Sequence, residues 1–508
     1  MNLTQGLSTA VGGLANIDRQ LALLAHNVSN ASTAGYVRQI AVQTALTADG
    51  AGLGVRSGPA IRDVNPAMLS ELRAQASVLA DLETRGSALD AIDALSGTPG
   101  AGNDLASMLG QVRDAFSRLA NDPADQVSQR AVVNAAQVLA ANINAMSAGF
   151  DNQRQVAQDS AQADIDTLNQ ALDEIGKLSN QIIRLKSLGE SVADLENQRD
   201  AAVSRIARLV EVKPIAQANG DIYLVSPSGL SLPTHGAPNP FSLSAANLQT
   251  GAWYPGGGVS GISLGGMDVT AQFRTGRIAA NIALRDSVLP TYQAALDEFA
   301  KTLSLRFSEQ GLALFTDPAG AVPPGGGVPV QSGYVGYAAI IQINSAVAAD
   351  AALVRDGTHA VPDNPAGASA FIPNPGGGPA GFVTLIQRVL DYSLGANARP
   401  DVPHGPANAT GLGPGGGLRL NFNGSGTLAN FVENLVSRQA IDSADTGTRL
   451  KAEQATNDAL KARYHNTTGV DIDAEMAMMV QLQNAYGANA RVISAVQAMW
   501  DQLLGAVR

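Results

Sequence analysis

Both ends of this 508-residue chain carry apolar residues on a single narrow helical line, and nothing else in the sequence constrains the fold as strongly. Near the N-terminus the line reads Leu3, Leu7, Ala10, Leu14, Ile17, Leu21, Leu24 and Val28, in steps that alternate four and three. Near the C-terminus, residues seven apart read Ile472, Met479, Tyr486, Ile493 and Trp500, joined three positions on by Leu482, Val496 and Leu503. This is the spacing of coiled-coil seams. A coil standing alone in water carries charge pairs beside its seam. Here the remaining faces hold mostly Gln, Asn, Ser, Thr, Gly and Ala, small and neutral enough for further helices to approach. Burying one such seam offsets only part of the backbone entropy lost in ordering the helix. Each terminal helix is therefore expected to pack on the other terminus and on neighbouring subunits, and the chain to assemble rather than catalyse.

Composition excludes several function classes. Charged residues are 15% of the chain, the net charge is −11, and no run of Lys and Arg occurs, so nucleic acid is not an expected partner. The absence of cysteine excludes disulfides, thiolate nucleophiles and sulfur-ligated metals. No segment approaches the ~18 consecutive apolar residues of a membrane span, so no membrane insertion is expected. The first basic residue is Arg19 and no compact apolar segment precedes it, so no cleaved signal peptide is expected.

Proline divides the chain. The first is Pro59, and 13 of the 24 fall between Pro318 and Pro414, among many glycines. Proline breaks helix interiors, so the flanks can be long helices while roughly 315–430 must be strands and turns. The reading is mainly α with inserted β, a multi-domain α+β chain. Residues 1–60 form an N-terminal axial helix and an extended segment. Residues 61–314 form a helical rod domain with a β insertion near 210–270. Residues 315–430 form a Pro/Gly-rich outer β domain, 431–466 a return helix of the rod, and 467–508 a C-terminal axial helix. Helical seams include Leu72, Leu79, Leu82 and Leu89, stopped near 96–100, and Leu168, Leu172, Ile175 and Ile182. Asn219-Gly220 between alternating apolar runs marks a hairpin. Pro290 predicts a kink, or a helix start near Ser287. Pro-Gly-Gly-Gly occurs four times, from Pro255, Pro324, Pro375 and Pro414, at irregular spacing that reads as loop punctuation.

Candidate chemistry is sparse. The five histidines (His26, His235, His359, His404, His465) show no paired helical spacing, so no metal site is expected. Residues 256–261 match G-x-G-x-x-G but lack a preceding strand and a following helix, so no nucleotide cofactor is expected. Asp471, Asp473 and Glu475 lack the glycine and terminal glutamate of a calcium loop and are read as helix-opening carboxylates. No catalytic residue emerges.

Several runs carry a resemblance. Residues 24–39, LAHNVSNASTAGYVRQ, resemble the N-terminal motif of bacterial flagellar axial proteins, through Asn27, Asn30, Thr33, Gly35, Tyr36, Arg38 and Gln39. Residues 194–200 (DLENQRD) and 285–300 (RDSVLPTYQAALDEFA) resemble internal runs of the flagellar hook-associated protein 1 (FlgK) family. Residues 469–476 (GVDIDAEM), 483–486 (QNAY) and 490–494 (ARVIS) are similar to that family's C-terminal motif. Ala34 departs from the family's proline, and Gly487 replaces a better helix former. The resemblance implies a non-enzymatic, extracellular subunit joining flagellar hook to filament. It implies export without a cleaved signal through the flagellar type III pathway, with a chaperone on the C-terminal helix. Implied partners are further copies in a ring, the hook protein and the second junction protein. Rival readings are another axial protein (hook, second junction protein or flagellin), which the 285–300 run disfavours, and a cytosolic coiled-coil scaffold, which the neutral outer faces disfavour.

Overall fold

The structure is a computed structural model that describes residues 3–33, 35–48, 51–97 and 102–506. Ala34 and the 98–100 part of the helix stop lie outside the described residues. The chain opens with helix α1 (Leu3–Ser29) and a long antiparallel hairpin, β1 (Gln39–Ala48) and β2 (Ala51–Arg62). Helices α2 (Pro66–Ser96), α3 (Leu105–Asn121), α4 (Gln126–Ser187) and α5 (Ala193–Leu209) follow. Their starts are set locally. Asn65, Asp104 and Asp125 each accept a hydrogen bond from a backbone N–H of the first turn, and Pro66 occupies a first-turn position where no N–H is needed.

α4 is the spine. Its 62 residues span about 90 Å at 1.5 Å per residue, and each half serves a different core. Val132, Ile143 and Phe150 pack with Leu105, Phe116 and Leu119 of α3 in the first core. Ile165, Leu168 and Ile175 pack with Val203 and Ile206 of α5 in the second. That second core is closed by two three-stranded sheets. One orders β3 (Lys213–Ala216), β4 (Ile222–Val225) and β5 (Ser231–Leu232). The other orders β6 (Phe241–Ser242), β7 (Ser263–Leu264) and β8 (Met267–Asp268). β3 and β4 pair with Ala216 opposite Ile222, and Gly220 turns the loop at φ 99°, a region open to glycine.

Helix α6 (Arg277–Ala283) continues into α7 (Leu289–Glu309) through a π-helical turn at Leu284–Val288. The kink or helix start expected around Ser287 corresponds to this π-helical turn, after which α7 begins at Leu289. Pro290 sits in the first turn of α7, where the widened turn absorbs its missing N–H.

The Pro/Gly-rich segment differs from a free-standing β domain. It holds only short paired strands: β9 (Phe315–Thr316) with β10 (Gln342–Ile343), β11 (Asn397–Arg399) with β12 (Val402–Pro403), and β13 (Thr410–Leu412) with β14 (Leu418–Arg419). Between them lie short helices α8 (Tyr337–Ile340), α9 (Ser345–Ala349), α10 (Leu353–Asp356) and α11 (Thr384–Arg388). Prolines and glycines interrupt any longer ladder. The buried Phe315, Tyr337, Leu385, Ile386 and Leu412 join Phe299, Leu303 and Phe307 of α7 in the first core, so the segment wraps α7. Two Pro-Gly-Gly-Gly loops meet around Trp253: a Cβ on Gly257 or Gly415 would lie 1.9 or 2.6 Å from its ring atoms. That contact ties the β insertion to the wrapping segment. The chain closes with α12 (Leu428–Thr468) and α13 (Ile472–Ala506).

Two helical glycines test the packing with opposite signs. A Cβ at Gly176 of α4 would sit 2.0 Å from the Thr234 carbonyl oxygen, so Gly176→Ala should lower stability by ~1–3 kcal/mol despite its better helix propensity. At Gly86 of α2 a Cβ would make ordinary contacts of 3.8 and 3.9 Å with Thr446 and Leu450, so Gly86→Ala should raise stability by ~0.5–1 kcal/mol. Denaturant unfolding of the two variants checks both signs.

Candidate assembly interface and its polar clasp

α1 and α13 lie antiparallel. Asn27 meets Glu475, Gly13 faces Asn489, and Leu7 lines a shallow groove with Trp500. Ala10, Ile17 and Leu24 are buried, while Leu3, Leu7, Leu14, Leu21 and Val28 are half-buried. On α13, Leu482 and Val496 are buried and Met479 and Ile493 half-buried. Ile17, Leu24 and Leu482 form the centre of the contact, with Leu21, Met479 and Ala485 around it. The other members of the C-terminal line face solvent: Ile472, Tyr486, Trp500 and Leu503 are 50%, 41%, 39% and 52% exposed. Asn489, one turn beyond Ala485, meets α1 where Tyr486 does not, in the space left by Gly13. Met476, Met478, Val480, Val492, Met499 and Leu504 add to the exposed apolar surface of α13.

The run 24–39 builds a clasp at the base of this pair. The Asn27 amide makes a pair of hydrogen bonds with the Gln39 backbone, donating to its carbonyl at 2.9 Å and accepting from its N–H at 3.1 Å. Tyr36 donates its hydroxyl to Asn27 Oδ1 at 2.8 Å, with the His26 ring 3.0 Å behind it. Burial, then the nearby Asp194 and Glu475 carboxylates, push the Tyr36 hydroxyl up to about 12, so it stays a donor. Asn30 donates to the His26 carbonyl, ending α1, and Gly35 takes φ 79° to reverse the chain. Arg38 reaches across to Glu475 Oε1 at 2.5 Å, and its backbone N–H donates to the Thr468 carbonyl at the end of α12. Gln39 donates to Asp194 of α5.

Glu475 is the member that sequence reasoning missed. Of the three carboxylates, Asp471 caps α13 by accepting from the N–H groups of Asp473 and Ala474, as expected of a helix-opening acid. Glu475 instead is 1% exposed and holds Arg38 and Asn27. A signal existed: counting back from Leu482 and Met479 in steps of three and four lands on 475, a charge on the seam itself.

The other two runs make comparable joints. Along 194–200, Glu196, Asn197 and Asp200 all bind Arg62 at the end of β2, and Asp200 also takes Arg73 of α2 at 2.8 Å. Burial works to push the Asp200 carboxyl up, but Arg62 and Arg73 together hold it below its ordinary range. Along 285–300, Arg285 bonds Gln158 of α4 and Tyr292 bonds Asp442 of α12. Asp297 accepts the backbone N–H groups of Gly336 and Ala338, and Glu298 takes Tyr334 and Asn408. These two carboxylates hold the wrapping segment on α7, and burial pushes the Asp297 carboxyl up to about 7. No cluster of His, Asp and Glu fit to hold a metal occurs among the described residues. The 256–261 loop leads into β7, not a helix. Nor is any helix in the described residues long and apolar enough to cross a membrane.

Glu475→Ala removes the buried acceptor shared by Arg38 and Asn27, which keep Asp63 and the Gln39 carbonyl as partners, and should cost ~1–2 kcal/mol in the terminal pair. Hydrogen exchange should rise across 472–490 while the α4 core keeps its protection. Asp200, with its folded value depressed, contributes stability that is present at neutral pH and lost as pH falls through that value. Asp200→Asn should therefore lower stability at pH 7 and flatten the acid limb of a stability–pH profile.

Comparison with known proteins bears on these joints. The family model described as the flagellar hook-associated protein FlgK helical domain matches residues 89–316. The one described as the flagellar basal body rod FlgEFG protein C-terminal matches 462–506. The chain is 23% identical over 559 aligned residues to flagellar hook-associated protein 1 of Bacillus subtilis, covering 98% of this chain and 97% of that protein. The Escherichia coli protein of the same name is 24% identical over 236 residues, 44% of this chain and 42% of its relative. A solved structure of the flagellar hook junction protein FlgK from Burkholderia pseudomallei aligns over 50% of this chain and 45% of its own, at 21% identity and a TM-score of 0.40. On its helical domain, its C-terminal helix and an alignment spanning nearly its whole length, the chain is similar to the flagellar hook-associated protein 1 (FlgK) family of structural flagellar proteins.

Proposed function

We propose that this protein is a self-assembling subunit at the junction of flagellar hook and filament, with copies arranged in a ring. The α1–α13 pair packs inward, the α4 rod forms the next layer, and the segment wrapped on α7 lies outside. One observation carries the reading: with α1 paired along α13, large apolar residues from Ile472 to Leu504 remain exposed around it, Trp500 in an open groove beside Leu7. Exposed apolar surface of this extent marks an association site. Because α13 lies at the end of the rod and its outer face is nearly uncharged, the occupants best matched to it are the same helices of neighbouring copies.

The helical-domain match over 89–316 favours a junction protein over hook protein, second junction protein or flagellin, since the rod-protein likeness is confined to 462–506. The same apolar surface would need cover before assembly, which fits an export chaperone on α13. Export to the cell exterior, and contacts with hook protein and the second junction protein, are read from the likeness to this family. Likeness to structural flagellar proteins supports reading the chain as non-enzymatic.

Deletion of 470–508 is the test. The rod and its two cores should fold with an unchanged helical-domain melting transition, while chaperone binding and junction formation are lost. Cells producing only the truncated protein should bear hooks without attached filaments. Normal filament attachment would overturn the proposal.

A further inference from the structure

We infer that the cavity where α4, α7, the β insertion and the wrapping segment meet is a binding site for a small organic cation, an amine carried on a single aromatic ring. The cavity measures about 180 Å³ and its wall is mainly apolar. Phe150 of α4, Leu289 and Pro290 of α7, Trp253 of the β insertion and Leu418 of β14 supply much of that wall. An apolar cavity of ~150 Å³ takes a benzene ring, so this one has room for a ring and a short arm. Cavities of this kind, apolar with a few polar groups and placed where separate parts of a fold meet, are the usual form of a small-molecule site.

The polar groups say what the arm carries. Three carboxylates line the cavity: Asp151 of α4, Asp286 of the π-helical turn and Asp297 of α7. Asp286 is already matched, each of its oxygens taking the Arg285 guanidinium at 2.7 Å. The other two are not. Among the described residues Asp151 accepts from the Thr250 hydroxyl alone, at 2.8 Å. Asp297 accepts only from neutral donors, the backbone N–H groups of Gly336 and Ala338 and the Gln293 amide. Two of these fall on Oδ1 and one on Oδ2, which leaves Oδ2 with acceptor capacity. Arg154 also lines the cavity, but its Nε and Nη2 are spent on the Arg285 and Ala252 carbonyls. Burial pushes both the Asp151 and the Asp297 carboxyl up, and the Asp151 charge adds to the rise at Asp297. A cation between the two relieves both. An anion would face these carboxylates, and a bare metal ion would leave the apolar wall unfilled.

The ring wall is fixed in advance. Trp253 is held between Gly257 and Gly415, where any side chain would overlap its indole, so its plane is set by the two glycine loops. A ligand seated beside it touches α4, α7, the β insertion and the wrapping segment together, and its binding stabilises their joint. The site is separate from the surface of α13 proposed for assembly, and neither reading depends on the other.

Trp253 and Trp500 are the two tryptophans of the chain, so in Trp500→Phe the indole emission reports the cavity. Phenethylamine titrated into this full-length variant at pH 8, where Asp297 is ionised, should give a saturable change in emission. It should also give a saturation-transfer NMR signal and a rise in melting temperature. Phenylacetate, similar in size and opposite in charge, should bind at least about tenfold more weakly, and Asp151→Asn should weaken the amine by about tenfold. Val335→Phe, which fills the cavity, should abolish the emission change in a chain that keeps the parental circular dichroism. Absence of a saturable signal by both fluorescence and NMR would overturn the inference. So would equal affinity for phenylacetate, or an amine affinity unmoved by Asp151→Asn.

Discussion

A carboxylate buried almost completely has to be met by donors, and Glu475 is met by residues more than 430 positions away in the chain. That requirement organises the structure. Arg38 and Asn27 reach Glu475 only if α1 has ended at Asn30 and the chain has turned through Gly35. The same turn sets Gln39 against Asp194, and so fixes the hairpin on α5. The terminal helices cannot pair in their present alignment without the rod, and the rod sets where they pair.

The runs that resemble the family share this physical role. Each supplies charged or amide side chains at a place where elements distant in sequence meet. The 24–39 run joins α1 to α13 and α5. The 194–200 run joins β2 and α2 to α5. The 285–300 run joins α7 to α4, to α12 and to the wrapping segment. Most of these side chains are bonded within the chain, although Asn197 Nδ2 and Arg199 Nε of the 194–200 run are buried without a partner among the described residues. Polar residues here specify an arrangement, while the apolar residues along α4 supply the burial that stabilises it.

Much of this was legible in the sequence, and the limits have physical causes. Periodicity located the long helices and Asn219-Gly220 marked a hairpin, because these signals are local. The C-terminal line was legible as a seam, but not which side α1 would cover. Ile472, Tyr486, Trp500 and Leu503 belong to the same apolar stripe as Leu482 and Val496, and only the pairing, with Asn489 seated against Gly13, divides them. Glu475 looked like one of three helix-opening acids, since its partners are distant in sequence. The proline-rich segment was read as an outer domain of strands and turns, but its attachment rests on Asp297 and Glu298, buried charges inside what reads as an ordinary helix.

The central claim is that the exposed apolar surface of α13 is the surface by which copies assemble. It is tested most directly by hydroxyl-radical footprinting of the isolated chain and of the chain in hook–filament junctions. Met476, Met478, Tyr486, Met499 and Trp500 are oxidisable and exposed on α13. They should oxidise readily in the isolated chain and be strongly protected in the junction, while exposed Met267 in the β insertion oxidises in both. Equal oxidation of the α13 residues in the two states would contradict the account.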